Sequence, residues 1–402
     1  MIINLISTRR KYATLMVVLG LVVLVAGLYL HSLAIRRLYH LPVFLDIIGI
    51  GIILYGGWQL VRSRRANDQL SFTRKDVKTF FLNNAILVAL LIMVVVIAIM
   101  EPRFMQLRVL RDVLSQSSPR LILALGMCFT LMIAGTDLSV GRMVGLSAVI
   151  SASMMQTANY GSRFFPNLPQ INIIIPVVAA LLACMVFGLI NGILVAKFDL
   201  HPFIATLATA VMVYGSCSLY FDMAPNNSQP IGGVRPDFAA IGQTLLFGRI
   251  PVLIPIALIF TFIIWFVLNK TIFGKNVYAI GGNRHAAEVS GVNVRLTLIG
   301  IFVISSFMAG VVGILEAART AGATNNYGNG YELDAIAACV VGGVSLNGGV
   351  GKVSGIVIGV LIFTVIQYGL SFVGLNPQWQ QVIKGLIIAV AVALDMAKYS
   401  KR

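Results

Sequence analysis

"AGTDLSVGRMVG", residues 134–145, breaks a long apolar stretch with one aspartate, one arginine and three glycines. Far downstream, "VGGVSLNGGVGKVSG" at 341–355 echoes it: a polar residue precedes Leu, and Gly351-Lys352 to Gly355 repeats the spacing of Gly141-Arg142 to Gly145. Apolar segments interrupted at corresponding places in two halves are the sequence trace of a duplicated transporter, although Gly-rich membrane helices could give such a match by composition alone.

The chain around these segments is built for lipid. Of its 402 residues 58% are hydrophobic and 11% charged, and its mean hydropathy is +0.91, whereas a soluble domain carries roughly 25% charged residues. The net charge of +16 suits cytoplasmic loops that orient membrane spans. It does not indicate nucleic acid, because no basic cluster is interleaved with aromatics. Cys128, Cys184, Cys217 and Cys339 are scattered singly through apolar segments and read as small buried hydrophobes. His31, His40, His201 and His285 are equally dispersed and offer no metal site.

A span needs about 20 mostly apolar residues. Candidates fall at 12–30, 41–61, 84–100, 119–134, 143–158, 173–196, 203–221, 250–268, 297–318, 332–345, 353–374 and 378–396. The first is longer than the roughly 7 to 15 residues of a signal-peptide core and reads as an uncleaved anchor. Starting with the N-terminus inside, the basic loops 62–82 and 269–296 and the C-terminal tail fall on the cytoplasmic side, as basic residues should. Arginines in 101–118 and 222–249 weaken that rule here. The fold expected is all-α and polytopic: a ten-helix core of two related halves over 83–402, preceded by an extension, 1–82, with two further transmembrane helices and a basic linker.

Glycine stripes at 351, 355 and 359 and at 188 and 192 have the four-residue spacing that lets helices approach closely in lipid. "NGGVGKVSG" fails the phosphate-loop pattern, with Leu346 and Val353 where Gly and Ser or Thr are required, so the chain is not expected to hydrolyse nucleotide itself. Asp137, Glu316, Arg319, Glu332 and Asp334 are charges in or near apolar segments, each costing ~2.5–3.5 kcal/mol at a helix centre unless it faces protein or water. They either form structural ion pairs, as Glu316 with Arg319, or line a path. Asn191, Asn325, Asn326, Asn347 and Gln367 supply neutral hydrogen-bonding groups suited to an uncharged, hydroxyl-bearing solute. "AIGGNRHAAEVSGVNV", 279–294, is the small, polar exception in the largest cytoplasmic loop of the core. Its alanines and valines suit a short helix ending at Gly291, which can turn left-handed.

"GTDLSVG", "FGKNVYAIGGNRHAAEVSGVNV", "ATNNYGNGYELDAIAACVVGGVSLNGGVG" and "WQQVIKGLIIAVAVALD" occur in the order and spacing of a known family, and over residues 83 to 402 the chain resembles the permease subunits of ribose-type ABC sugar importers. The resemblance implies a non-catalytic pore in the bacterial inner membrane, with both termini cytoplasmic. It implies a second copy of the permease, a periplasmic sugar-binding protein, and a cytoplasmic ATP-binding subunit that carries ATP and Mg, this chain holding no cofactor. Galactose, glucose or a methyl-galactoside is the expected solute. Gly281, Gly282, Asn283, Ala286, Ala287, Ser290 and Gly291 match the family's coupling helix, which contacts the ATPase. A permease for ribose or a nucleoside, or a secondary carrier driven by an ion gradient, are the alternatives. Residues 1–82 depart from the family pattern.

Overall fold

A computed structural model of the chain describes residues 13–21, 23, 24, 49, 53 and 94–399. The first expected span is described in part, at 13–21, 23 and 24; the second lies largely, and the basic loop 62–82 wholly, outside the described residues. The chain's contacts divide it into two units, residues 1–112 with 365–380, and residues 113–364 with 381–402.

After a helical segment at 94–100 and a 3-10 turn at Pro102–Met105, the helices are α1 (Leu107–Met132), α2 (Val140–Met154), α3 (Ile174–Lys197) and α4 (Pro202–Asp222). A short α5 (Pro236–Gln243) leads into a hairpin of β1 (Leu245–Leu246) and β2 (Ile250–Pro251). There follow α6 (Leu253–Lys270), α7 (Ile272–Gly282), α8 (Arg284–Val289), α9 (Val294–Thr320), α10 (Tyr331–Val341), α11 (Val353–Phe372) and α12 (Pro377–Tyr399). Among the described residues α3, α4, α6, α9 and α11 are long and apolar enough to cross a membrane.

The larger unit is organised around α9, which is buried along most of its length and packs on α2, α3 and α5, while α2 also packs on α3 and α4. Small residues make this possible. A β-carbon on Gly188 would strike Ser306 and come within 2.8 Å of Phe302 O, and one on Gly192 would come within 2.7 Å of the Ile299 Cα. Lipid tails are as apolar as leucine, so close van der Waals packing and hydrogen bonds hold membrane helices together. Ser147 supplies one such bond, donating to Gly310 O at 2.6 Å. On α11, Gly355 and Gly359 face the carbonyls of Gly342 and Ala338, and the first glycine of that expected stripe, Gly351, lies ahead of the helix against Met132.

The expected span at 332–345 is instead the 11-residue α10, about 16 Å at 1.5 Å per residue. Gly342 ends it and Gly343 follows at φ +84°, a left-handed turn that glycine makes without steric cost. The helix that the first echo stretch enters, α2, is also short, with 15 residues. The first echo stretch runs from just past α1 into α2, and the second from the end of α10 into α11.

In the smaller unit, Phe104 packs edge-on against Phe372 at 5.6 Å, Ile97 fills the space beside Gly369, and the Tyr368 hydroxyl donates to Asp112 at 3.3 Å.

Candidate functional site

The two echo loops meet. Gly349 N donates to Met132 O at 2.8 Å, joining the loop after α10 to the end of α1. The end of α7 closes on the same point: a β-carbon on Gly281 would overlap Met132 O and approach Gly349 N to 2.6 Å. Tyr278, one turn earlier on α7, donates its hydroxyl to Gly351 O at 2.8 Å, and burial pushes its phenol pKa up. Gly348 and Gly349 hold φ of +83° and +70°, which folds the loop tightly enough to present its amides there. The small polar segment noted in the sequence is therefore fixed by its first glycine to the end of α1, two residues before the first echo stretch, and to the second echo loop.

Beyond Gly281 the segment turns outward. Asn283 caps α8, its side-chain oxygen accepting from Ala286 N at 2.9 Å, and satisfies an amide that the first helical turn leaves free. Ala287 is buried and anchors the helix, whereas Gly282, Asn283, Ala286, Ser290 and Gly291 are exposed. Val289 is 76% exposed, and Gly291 takes φ +84° just past the helix end. Arg284 pairs with Asp199, in the loop after α3, at 2.8 Å. The result is a braced knob with a bare, small-residue face.

The charged and amide residues fall into separate groups. Asp137 and Asn191 have no exposed surface. Asp137 accepts from Ser139 N at 3.0 Å and Ser139 Oγ at 2.5 Å through one oxygen, and from Ser305 Oγ at 3.1 Å through the other. Asn191 donates to Ser139 Oγ at 2.9 Å, so this network ties the echo loop to α3 and α9. Glu316 receives Arg319 Nε at 2.9 Å and Nη2 at 2.6 Å, a structural pair at the end of α9. Asp334 pairs with Lys384 of α12, with only 8% and 13% of the two side chains exposed.

Asn325 donates to Ser218 Oγ of α4 at 3.1 Å. Asn326 and Asn347 are exposed in loops, and Gln367 is half-buried in the smaller unit. Glu332 alone of the nine expected path residues lines a cavity of about 330 Å³, with Arg142 and Tyr214 beside it. Sequence reasoning did not select Arg142, Tyr214 or Lys384. Arg142 had a signal, because it is the basic residue of the echo motif; Tyr214 and Lys384 are single polar groups in apolar runs.

Residues 109–392 match the family described as branched-chain amino acid transport system / permease component. Over 322 residues the chain is 48% identical to the galactose/methyl galactoside import permease protein of Haemophilus influenzae, covering 79% of this chain and 95% of that one. The protein of the same name from Escherichia coli K12 is 45% identical over 335 residues, with coverage of 83% and 99%. The ribose import permease protein of Haemophilus influenzae is 37% identical over 320 residues, with coverage of 80% and 95%. No solved structure matches the chain. The chain belongs to the branched-chain amino acid transport system / permease component family, in agreement with the permease resemblance carried by its motifs.

Proposed function

We propose that this protein is the permease subunit of an ATP-driven importer of galactose or a methyl galactoside, and that it catalyses no reaction itself. The relatives named for galactose import, at 45% and 48% identity over most of both chains, support the solute. In this reading two copies associate in the bacterial inner membrane with both termini cytoplasmic, and lipid surrounds the exposed apolar helix faces. A periplasmic sugar-binding protein delivers the solute. A cytoplasmic subunit binds ATP and Mg and docks on the face formed by Gly282, Asn283, Ala286, Ser290 and Gly291. The relative named for ribose import favours a pentose as the second reading.

The observation that carries the mechanism is the contact of Gly281 with Met132 and Gly349. A displacement of α8 by the ATPase reaches the end of α1 and the second echo loop through backbone rather than through flexible side chains. A driven change requires contacts that differ between two states, and a knob anchored at Ala287 and Gly281 supplies them. The test is affinity purification from native membranes followed by an ATPase assay, for the wild type and for Ala286→Arg. An ATPase that accompanies the wild type and is lost from the variant supports the docking face. A wild-type chain that purifies with no ATPase contradicts it.

A further inference from the structure

Three side chains from three helices meet at the cavity of about 330 Å³: Arg142 on α2, Tyr214 on α4 and Glu332 on α10, with Leu138, Leu207 and Val211 completing the wall. The Arg142 guanidinium lies over the Tyr214 ring, 4.6 Å from its centre. The Glu332 carboxylate lies against Gly141, where any β-carbon would collide with it. Arg142 Nη1 and Glu332 Oε2 are both buried and have no hydrogen-bond partner among the described residues. A buried polar atom left unmatched is costly, and more so when it is charged, so each such atom demands an explanation. The other buried carboxylates of this unit do not share the condition, since Asp137 accepts from three donors and Glu316 and Asp334 are paired with cations.

The chemistry of the cavity selects its occupant. An anion would be repelled by Glu332 and a cation by Arg142. A hydroxyl can donate and accept, so two adjacent hydroxyls can bond to the Glu332 and Arg142 side chains at once, and the aromatic ring offers a surface to the C–H face of a pyranose. The volume lies in the range of small-molecule sites. We infer that Arg142, Tyr214 and Glu332 form a solute subsite that takes a neutral monosaccharide through adjacent hydroxyls, one donating to Glu332 and one accepting from Arg142. This rests on the importer reading above and names the point at which the permease itself touches its solute.

The test uses the whole importer in lipid vesicles with ATP on the ATPase side. The binding protein is saturated in turn with galactose and with each monodeoxy-galactose it holds, which keeps selection before the permease constant. In the wild type, loss of the hydroxyl that faces Glu332 lowers uptake about tenfold or more, the scale of a hydrogen bond to a charged group. In Glu332→Gln, galactose and that deoxy sugar are carried at similar rates. Arg142→Lys keeps the charge but loses the planar fork, and erases discrimination at a neighbouring hydroxyl. If both variants lower all sugars by one common factor, or the wild type carries every deoxy sugar as well as galactose, the subsite is wrong while the importer reading stands. If the wild type carries no galactose with ATP, the importer reading fails and the subsite with it. Should Arg142→Lys not assemble, the wild-type hydroxyl profile and the near-isosteric Glu332→Gln decide the question.

Discussion

Gly281 and Met132 touch backbone to backbone: the α-carbon of Gly281 sits so close to the Met132 carbonyl that no side chain fits between them. The contact joins the end of α7 to the end of α1, and Gly349 N completes it by donating to the same carbonyl. Gly281→Ala must push backbone aside, and overpacking of this kind costs about 1–3 kcal/mol. We expect a lowered melting temperature in detergent and impaired solute uptake. Tyr278→Phe removes only the bond to Gly351 and should cost about 1 kcal/mol. Differential scanning fluorimetry on both variants, with Gly282→Ala as the control because open space surrounds Gly282, checks the order Gly281→Ala, then Tyr278→Phe, then the control.

Asp137→Ala strands Ser139 and Ser305 in a dry interior, since both donate to that carboxylate. The expected loss is about 2–4 kcal/mol, from one to two unmet buried groups at about 1–3 kcal/mol each. Melting and uptake should fall together. A variant that melts normally yet transports poorly would instead mark Asp137 as a solute contact.

Asp334 and Lys384 form a pair that is almost wholly buried. Removing one partner of such a pair typically costs about 3–5 kcal/mol, because the other charge is left uncompensated. Lys384→Met and Asp334→Leu should each destabilise strongly. The Asp334→Leu, Lys384→Met double variant should recover much of the loss, and a double-mutant cycle measures that coupling.

Asp237, at the start of α5 and outside the spans, provides a pH probe. Burial opposes its charge, but the Arg235 guanidinium that bonds and attracts it, together with the Phe238 amide, outweighs burial and holds the carboxyl below its ordinary value. A depressed carboxylate contributes stability that is present above the unfolded value of about 3.9 and lost as pH falls through the folded value. Asp237→Asn should therefore melt slightly lower than wild type at neutral pH, by no more than about 1 kcal/mol for so exposed a pair. The gap should close on acidification below the carboxylate range, which melting curves across pH will register.

Much of the helix plan was legible because apolar runs of membrane length have few alternatives: the expectations 173–196, 203–221 and 297–318 fall within one to three residues of α3, α4 and α9 at each end. The short helices were less so. Whether glycines near 342 break a helix depends on a left-handed residue and on Gly355 pressing against Gly342, and composition alone cannot state either. The small, polar character of 279–294 was visible in the sequence, yet its fixation through Gly281 depends on contacts with residues far away in the chain. Asp137 and Glu332 looked alike in sequence, as acids within or beside echo or glycine motifs. Only their neighbours separate them, since Asp137 is surrounded by donors and Glu332 faces a cavity.

Uptake of labelled galactose into lipid vesicles that contain the permease with its co-purified ATPase and binding protein tests ATP-driven import most directly. Accumulation should require ATP and all three proteins, and should be abolished by Ala286→Arg. Accumulation by the permease alone under an ion gradient, without ATP, would contradict the importer reading and move attention to a carrier mechanism.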